Sequence, residues 1–156
     1  MRALALMVTL AVMAGVAFAT PVPVLRIDPG GLDLSLGDGG RYEYVYQQSI
    51  YQVPVIEEHE YAGDAIRIVR VRSIDRRAVE YFRWGDDIRR EGDVYVQDAP
   101  PNRTPALAIR ITREGAQHLR SGDRDIDLRD HFGERLVTVT GTKAARGLAL
   151  LPWSRP

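Results

Sequence analysis

The sequence predicts an all-β fold, an antiparallel sandwich or partly open barrel of about nine short strands. Three observations carry this. Beyond residue 20 the apolar side chains recur with a period of two, and strong helical periodicity is scarce. Clusters of Gly, Asp and Pro interrupt the apolar runs at short intervals. A parallel sheet would need crossover helices, and the pattern offers none.

The elements follow in order. Val22–Asp28 is a first extended run, closed by Pro29, Gly30 and Gly31, and Gly37–Gly40 reads as a turn. Arg41–Gln47 alternates, with Tyr42, Tyr44 and Tyr46 on one face. Pro54–Tyr61 and Ala65–Ser73 are separated by the turn candidate Ala62, Gly63, Asp64. Within the second of these the apolar phase slips by one residue, which predicts a bulge between Ile68 and Val69. Further strands are expected at Ala78–Trp84, Val94–Val96, Pro105–Thr112, Arg124–Leu128, Arg135–Thr140 and Leu148–Leu151. Helical turns are expected only at Ile74–Arg77 and Arg129–Phe132. Asp98–Thr104, with its Pro100–Pro101 pair, is the best internal boundary. It reads as a crossover loop, because the residues beyond it would make a weak core by themselves.

The N-terminus has a different character. Arg2 precedes an uncharged, mostly apolar run from Ala3 to Phe18, and Ala17, Phe18, Ala19 fit the small-x-small pattern of a signal-peptidase site. The run would rise about 24 Å as a helix, short of a bilayer core of about 30 Å. Residues 1–19 are therefore read as a cleaved signal peptide and 20–156 as one β domain, periplasmic or secreted and not membrane-spanning after cleavage. No cysteine follows the run, which excludes a lipid anchor of the lipoprotein type.

The chain has 21 basic and 21 acidic side chains and no cysteine. The balance argues against a nucleic-acid binder, which needs a surplus of Lys and Arg against phosphate. Lack of cysteine removes thiol catalysis, iron–sulfur clusters and the usual structural zinc site, and leaves stability to the core. All but one of the basic side chains are arginine, the exception being Lys143. Such a skew reads as base-composition bias, so single arginines are discounted as functional signals.

The run YQQSIYQVPVIEE, Tyr46 to Glu58, resembles the signature of an exported bacterial family, the domain of unknown function 1850 family, with pattern Y-x-H-S-V/I-x-x-x-P-V-x-E. Tyr46, Ser49, Ile50, Pro54, Val55 and Glu57 fall on the pattern, and Gln48 stands where the family has histidine. The stretch ALAIRITREGAQHLRSGDRDIDLRDHFGERLVTVTG, Ala106 to Gly141, is similar to the family's closing strands. A glycine-rich step of the family is missing around Ser73–Arg83. Members are small exported proteins often encoded beside TRAP-type transporters of the TAXI subclass. The resemblance implies an exported, non-enzymatic accessory or binding protein of such solute uptake. Its partner would be a transporter component or the solute-binding protein, with a small organic anion as a further candidate. The alternative is a structural or envelope interaction module without a small-molecule site.

A nucleophilic Ser49 would need a base within hydrogen-bond reach, and Gln48 is an amide that takes no proton at neutral pH. A ligand contact or a strand-end cap tolerates glutamine better, because it still donates and accepts. Glu57 and His59 share a strand face, opposite Glu58 and Glu60. They would contribute to a metal site only if His118 or His131 approached, and no recognised metal spacing is present, so neither metal nor cofactor is expected. Arg67 to Arg90 holds eight arginines against Asp75, Glu80, Asp86 and Asp87. Beside Tyr81, Phe82 and Trp84 this excess is either a clamp for a carboxylate or phosphate or a solvated edge. The candidate ligand or partner residues are accordingly Tyr46, Gln48, Ser49, Glu57, Arg72 and Tyr81.

Overall fold

Apolar side chains from two groups of antiparallel strands meet face to face. The computed structural model describes residues 13, 15, 16, 18–36 and 39–146. The expected strand Leu148–Leu151, most of the apolar N-terminal run and part of the Gly37–Gly40 turn lie outside them. The smaller sheet has the order β2 (Leu32–Ser35), β1 (Pro21–Asp28), β11 (Leu136–Ala145), β8 (Ala106–Arg110). The larger has the order β10 (Arg124–Asp127), β9 (His118–Ser121), β3 (Arg41–Gln48), β4 (Val53–Ala62), β5 (Ala65–Ser73), β7 (Val94–Asp98), β6 (Arg89–Glu91). The described residues thus form eleven strands in a sandwich-like pair of sheets that does not close into a barrel, as the all-β prediction requires.

The period-two pattern explains which side chains fill the middle. Leu25, Ile27, Leu34, Ile109, Val137 and Val139 of the smaller sheet pack on Tyr42, Ile66, Leu119 and Ile126 of the larger, and all are buried. A second, smaller cluster lies on the same inner face of the larger sheet. There Val55 and Val71 are covered by Ala78 and Val79 of the short helix α1 (Arg76–Glu80). A second short helix, α2 (Leu128–Phe132), caps the main core with Leu128 and Phe132.

The bulge lies where the phase slip placed it. His59 pairs with Ile68 but Glu58 pairs with Arg70, so Val69 is the extra residue on β5. The expected crossover loop also does structural work there. Ala99 donates to the Val69 carbonyl at 2.9 Å, and Ile66 and Thr104 exchange two hydrogen bonds at 2.8 Å. Between them the Asn102 side chain takes the place of a neighbouring strand. Its Oδ1 accepts from the Ile68 amide at 2.9 Å, and its Nδ2 donates to the carbonyls of Ile68 at 2.9 Å and Pro100 at 2.8 Å. Asn102→Ala should therefore lower stability by about 1 kcal/mol, the loss being moderated by water at a half-buried site. A melting-temperature fall of roughly 3–6 °C is expected, with Asn102→Asp intermediate because it keeps the acceptor. An unchanged melting temperature in Asn102→Ala would refute the role.

One expected strand is absent. Ala78–Trp84 is not extended: Arg76–Glu80 is helical, overlapping the helical turn expected at Ile74–Arg77, and Tyr81 and Phe82 form a turn. Asp75 caps the helix by accepting from the Arg77 amide at 2.9 Å. The apolar Ala78, Val79 and Phe82 then lie on one helical face against Val55 and Val71. Three strands were not anticipated, namely Leu32–Ser35, Arg89–Glu91 and His118–Ser121. Each is only three or four residues long, too short to display an alternation.

Candidate functional site

The motif-bearing run folds as the β3–β4 hairpin. Its register pairs Tyr42 with His59, Tyr44 with Glu57, Tyr46 with Val55 and Gln48 with Val53. Alternation then sends all eight side chains to the inner face. Tyr44 stacks on Tyr46 with ring centroids 4.9 Å apart, and Tyr42 stacks on His59 at 5.0 Å. Tyr44 packs on the main core and Tyr46 on the smaller cluster, so the tyrosine pair bridges the seam between them. Glu57 occupies that seam, its side chain 13% exposed, and its Oε2 lies 3.1 Å from Nε2 of His59, which is 1% exposed.

Burial governs the electrostatics of this face. The Tyr44 hydroxyl is pushed up to about 12 by burial, with the Gln117 hydrogen bond pulling it back and the Glu57 charge adding to the rise. Burial also pushes Tyr46 up strongly, reinforced by the Glu57 carboxylate as charge and acceptor and by the hydroxyls of Tyr44 and Tyr81. Tyr42 moves in the same direction, by burial and then by the Glu57 charge. Three phenols thus remain protonated around one carboxylate. Within this buried layer the Tyr42 hydroxyl, His59 Nδ1 and Gln48 Oε1 have no hydrogen-bond partner among the described residues.

The candidate residues divide into three groups. Tyr46 and Glu57 are together, and Tyr81, just past α1 and 55% exposed, brings its hydroxyl near that of Tyr46. Gln48 shares their face but is buried near the end of the strand, and Ser49 is exposed in the following turn. Arg72 is on the other side of the sheet. Glu57 pairs with Val71, so Arg70 and Arg72 project outwards with Glu43 and Glu58.

There the arginines are engaged. Arg72 pairs with Glu43 and, at 3.5 Å, with Glu58; Arg70 reaches Glu58 at 3.3 Å and Asp98 at 3.9 Å. Arg89 bridges Asp98 at 2.8 Å and Glu91 at 2.7 Å, and beside it the Asp98 carboxyl is held below its usual range. Arg67, Arg76 and Arg77 pair with Glu60, Glu80 and Asp75. Six of the eight arginines of the basic stretch are thus paired with acids, while Arg90 donates to the Gly92 carbonyl at 3.0 Å and lies over the Tyr95 ring. Of the other histidines, His118 sits 2.8 Å from Asp125, and the described residues contain no group of three or more His, Asp or Glu arranged to hold a metal ion.

Two contributors to this face carry no mark in the sequence. Gln117 is 7% exposed; its Nε2 donates to the Arg110 carbonyl at 2.7 Å and its Oε1 accepts from the Thr112 amide at 3.1 Å, which fixes it as the partner of Tyr44. Gln97, 2% exposed, donates to the Gly85 carbonyl at 2.8 Å and so ties down the segment following Tyr81. Neither glutamine stands in a pattern that separates it from a surface residue.

Fold and site together define an antiparallel two-sheet β protein with a tyrosine-lined carboxylate on its inner face. Compared with protein-family models, with curated proteins and with solved structures, the chain matches none. No helix among the described residues is long and apolar enough to cross a membrane.

Proposed function

We propose that the protein is an exported, non-enzymatic binding component serving solute uptake by a TRAP-type transporter of the TAXI subclass. It acts in the periplasm after cleavage behind Ala19, and it belongs with the domain of unknown function 1850 proteins. One observation supports the reading above others. The motif-like residues occupy a single hairpin whose inner face gathers Tyr46 and Glu57 and whose tip leaves Ser49 and Ile50 exposed, Ile50 at 59%. A buried polar layer behind an exposed apolar tip suits recognition. Nothing at the tip activates the Ser49 hydroxyl, since Gln48 is a buried amide.

Gln48 and Glu57 are enclosed, so the exposed tip is the place to probe contact with a partner. Ile50→Asp and Ser49→Arg should leave the melting temperature within about 2 °C of the parent. They should weaken cross-linked recovery of a transporter component from native envelopes by roughly tenfold or more, and lower uptake with it. Normal recovery and uptake in both variants would remove the tip from the reading.

A second reading is favoured by the internal pairing of most arginines of the basic stretch with acids of the chain itself. On that reading the protein is an envelope interaction module without a solute site. Recovery of an envelope protein unrelated to transport would select it.

A further inference from the structure

Glu57 is a carboxyl group largely withdrawn from water. Its side chain is 13% exposed, and among the described residues the one basic group within ion-pair reach is His59, 3.1 Å away. The arginines of the adjacent strand are committed to carboxylates on the opposite face. A carboxylate withdrawn from water is costly unless a positive or donating partner meets it. It offers about four acceptor sites, and His59 and Tyr46 supply two donors. Around it stand the stacked rings of Tyr44 and Tyr46, with Tyr81 more than half exposed at the solvent side. Aromatic faces are negative, so a cation that reached the remaining acceptor sites beside these rings would be favoured by them as well.

We infer that the seam between the two core clusters receives a cationic hydrogen-bond donor, a guanidinium or ammonium group, bound by the Glu57 carboxylate and the rings of Tyr44, Tyr46 and Tyr81. The inference rests on the reading of this hairpin as a ligand or partner site and names what that site takes. It reverses the sign expected from the arginine content: the recognising charge is the acid on the inner face, and the group recognised is basic. The same chemistry is offered by a free small cation and by an arginine side chain on a partner protein.

Calorimetry on the exported chain, purified from the envelope, separates these with three probes: agmatine, a blocked pentapeptide carrying one arginine, and succinate. Agmatine or the peptide should bind and succinate should not. Stronger binding of agmatine points to a free cation, and stronger binding of the peptide to a partner side chain. Glu57→Gln should weaken binding roughly 10- to 150-fold, the range for a charge-assisted hydrogen bond. Tyr81→Ala, at an exposed position that spares the fold, should weaken it about two- to fivefold and decides the matter if Glu57→Gln does not fold. Arg67→Gln, on an exposed ion pair, should change nothing.

Binding of succinate in place of the cations would overturn the inference while leaving the hairpin a ligand site. Absence of binding with an imidazolium signal from His59 at neutral pH would overturn it too, because the histidine would then supply the charge. Absence of binding together with normal uptake in Ile50→Asp and Tyr81→Ala would dispose of both this inference and the function it rests on.

Discussion

Raised above about pH 10, the protein should lose stability steeply and unfold with the release of phenolic protons. The Tyr44 hydroxyl, lifted to about 12, keeps its proton in the folded chain while the unfolded chain gives it up near 10. The unfolded state therefore binds fewer protons in this window, and stability falls as pH rises. The contribution is fully present below about pH 10 and is lost by about pH 12, a difference of about 2.7 kcal/mol for Tyr44. Tyr42 and Tyr46 shift in the same direction and further. Three such groups together remove about 8 kcal/mol by pH 12, a large share of the about 5–15 kcal/mol that holds a domain of this size folded. Phenolate absorbance and circular dichroism, followed together, should show three of the seven tyrosines ionising only as strand signal disappears. Tyr44→Phe should move the unfolding midpoint to higher pH. Complete ionisation near pH 10 with the strand signal intact would refute the buried tyrosine layer.

Gly141→Ala should be among the most damaging single-methyl additions. A Cβ at this β11 position would stand 2.0 Å from Cδ2, 2.2 Å from Cε2 and 2.7 Å from Cγ of Tyr61 on β4. The ring has little freedom to retreat, because its hydroxyl donates to the Gly63 carbonyl at 2.8 Å and its face packs on the main core. Overpacking of this kind costs about 1–3 kcal/mol, here toward the upper end, with a melting-temperature fall of roughly 5–12 °C. The contact is a pairing of ring against bare backbone across the two sheets, so a double-mutant cycle should expose it. Tyr61→Ala costs stability by itself, but Gly141→Ala added to it should cost under about 0.5 kcal/mol. An additive result would assign the damage to the backbone of β11 instead.

Where the fold was legible, a local period coincided with a tertiary face. Tyr42, Tyr44 and Tyr46 alternate and do line one side of β3. The break in Ile66–Val71 marked the bulge because buried positions must change parity there. Ala78–Trp84 misled because its Val, Tyr, Phe and Trp have high strand propensity. The Asp75 cap and the apolar bed of Val55 and Val71 overrode it, and neither acts within the segment's own period. Tyr46 and Glu57 could be joined from sequence since a short hairpin fixes their parity. Arg72 stands among the candidate residues although the slip in phase already turns it away, since an inward Val71 after the bulge sends Arg72 to the opposite side. The nearness of Tyr81 to Tyr46 depends on α1, which sequence reasoning took for strand.

Val69 has a meaning beyond the local kink. Counted back from the two-residue turn at Gly63 and Asp64, a regular ladder would set Glu57 opposite Arg70 and turn Arg70 and Arg72 inwards beside it. The single unpaired residue exchanges the two sides of the strand for everything after it. Val71 and Ser73 go in, and the guanidinium groups go out to the acids of the outer surface. In effect β5 is written in two reading frames, and Val69 is the frameshift between them. A ladder that paired Val69 regularly would send both arginines into the apolar interior, whereas removal of Val69 itself would straighten the strand and keep Arg70 opposite Glu58 and Val71 opposite Glu57. The separation of the strand's basic and apolar sides thus hangs on leaving that one residue out of the pairing, and the two frames rejoin when it is removed.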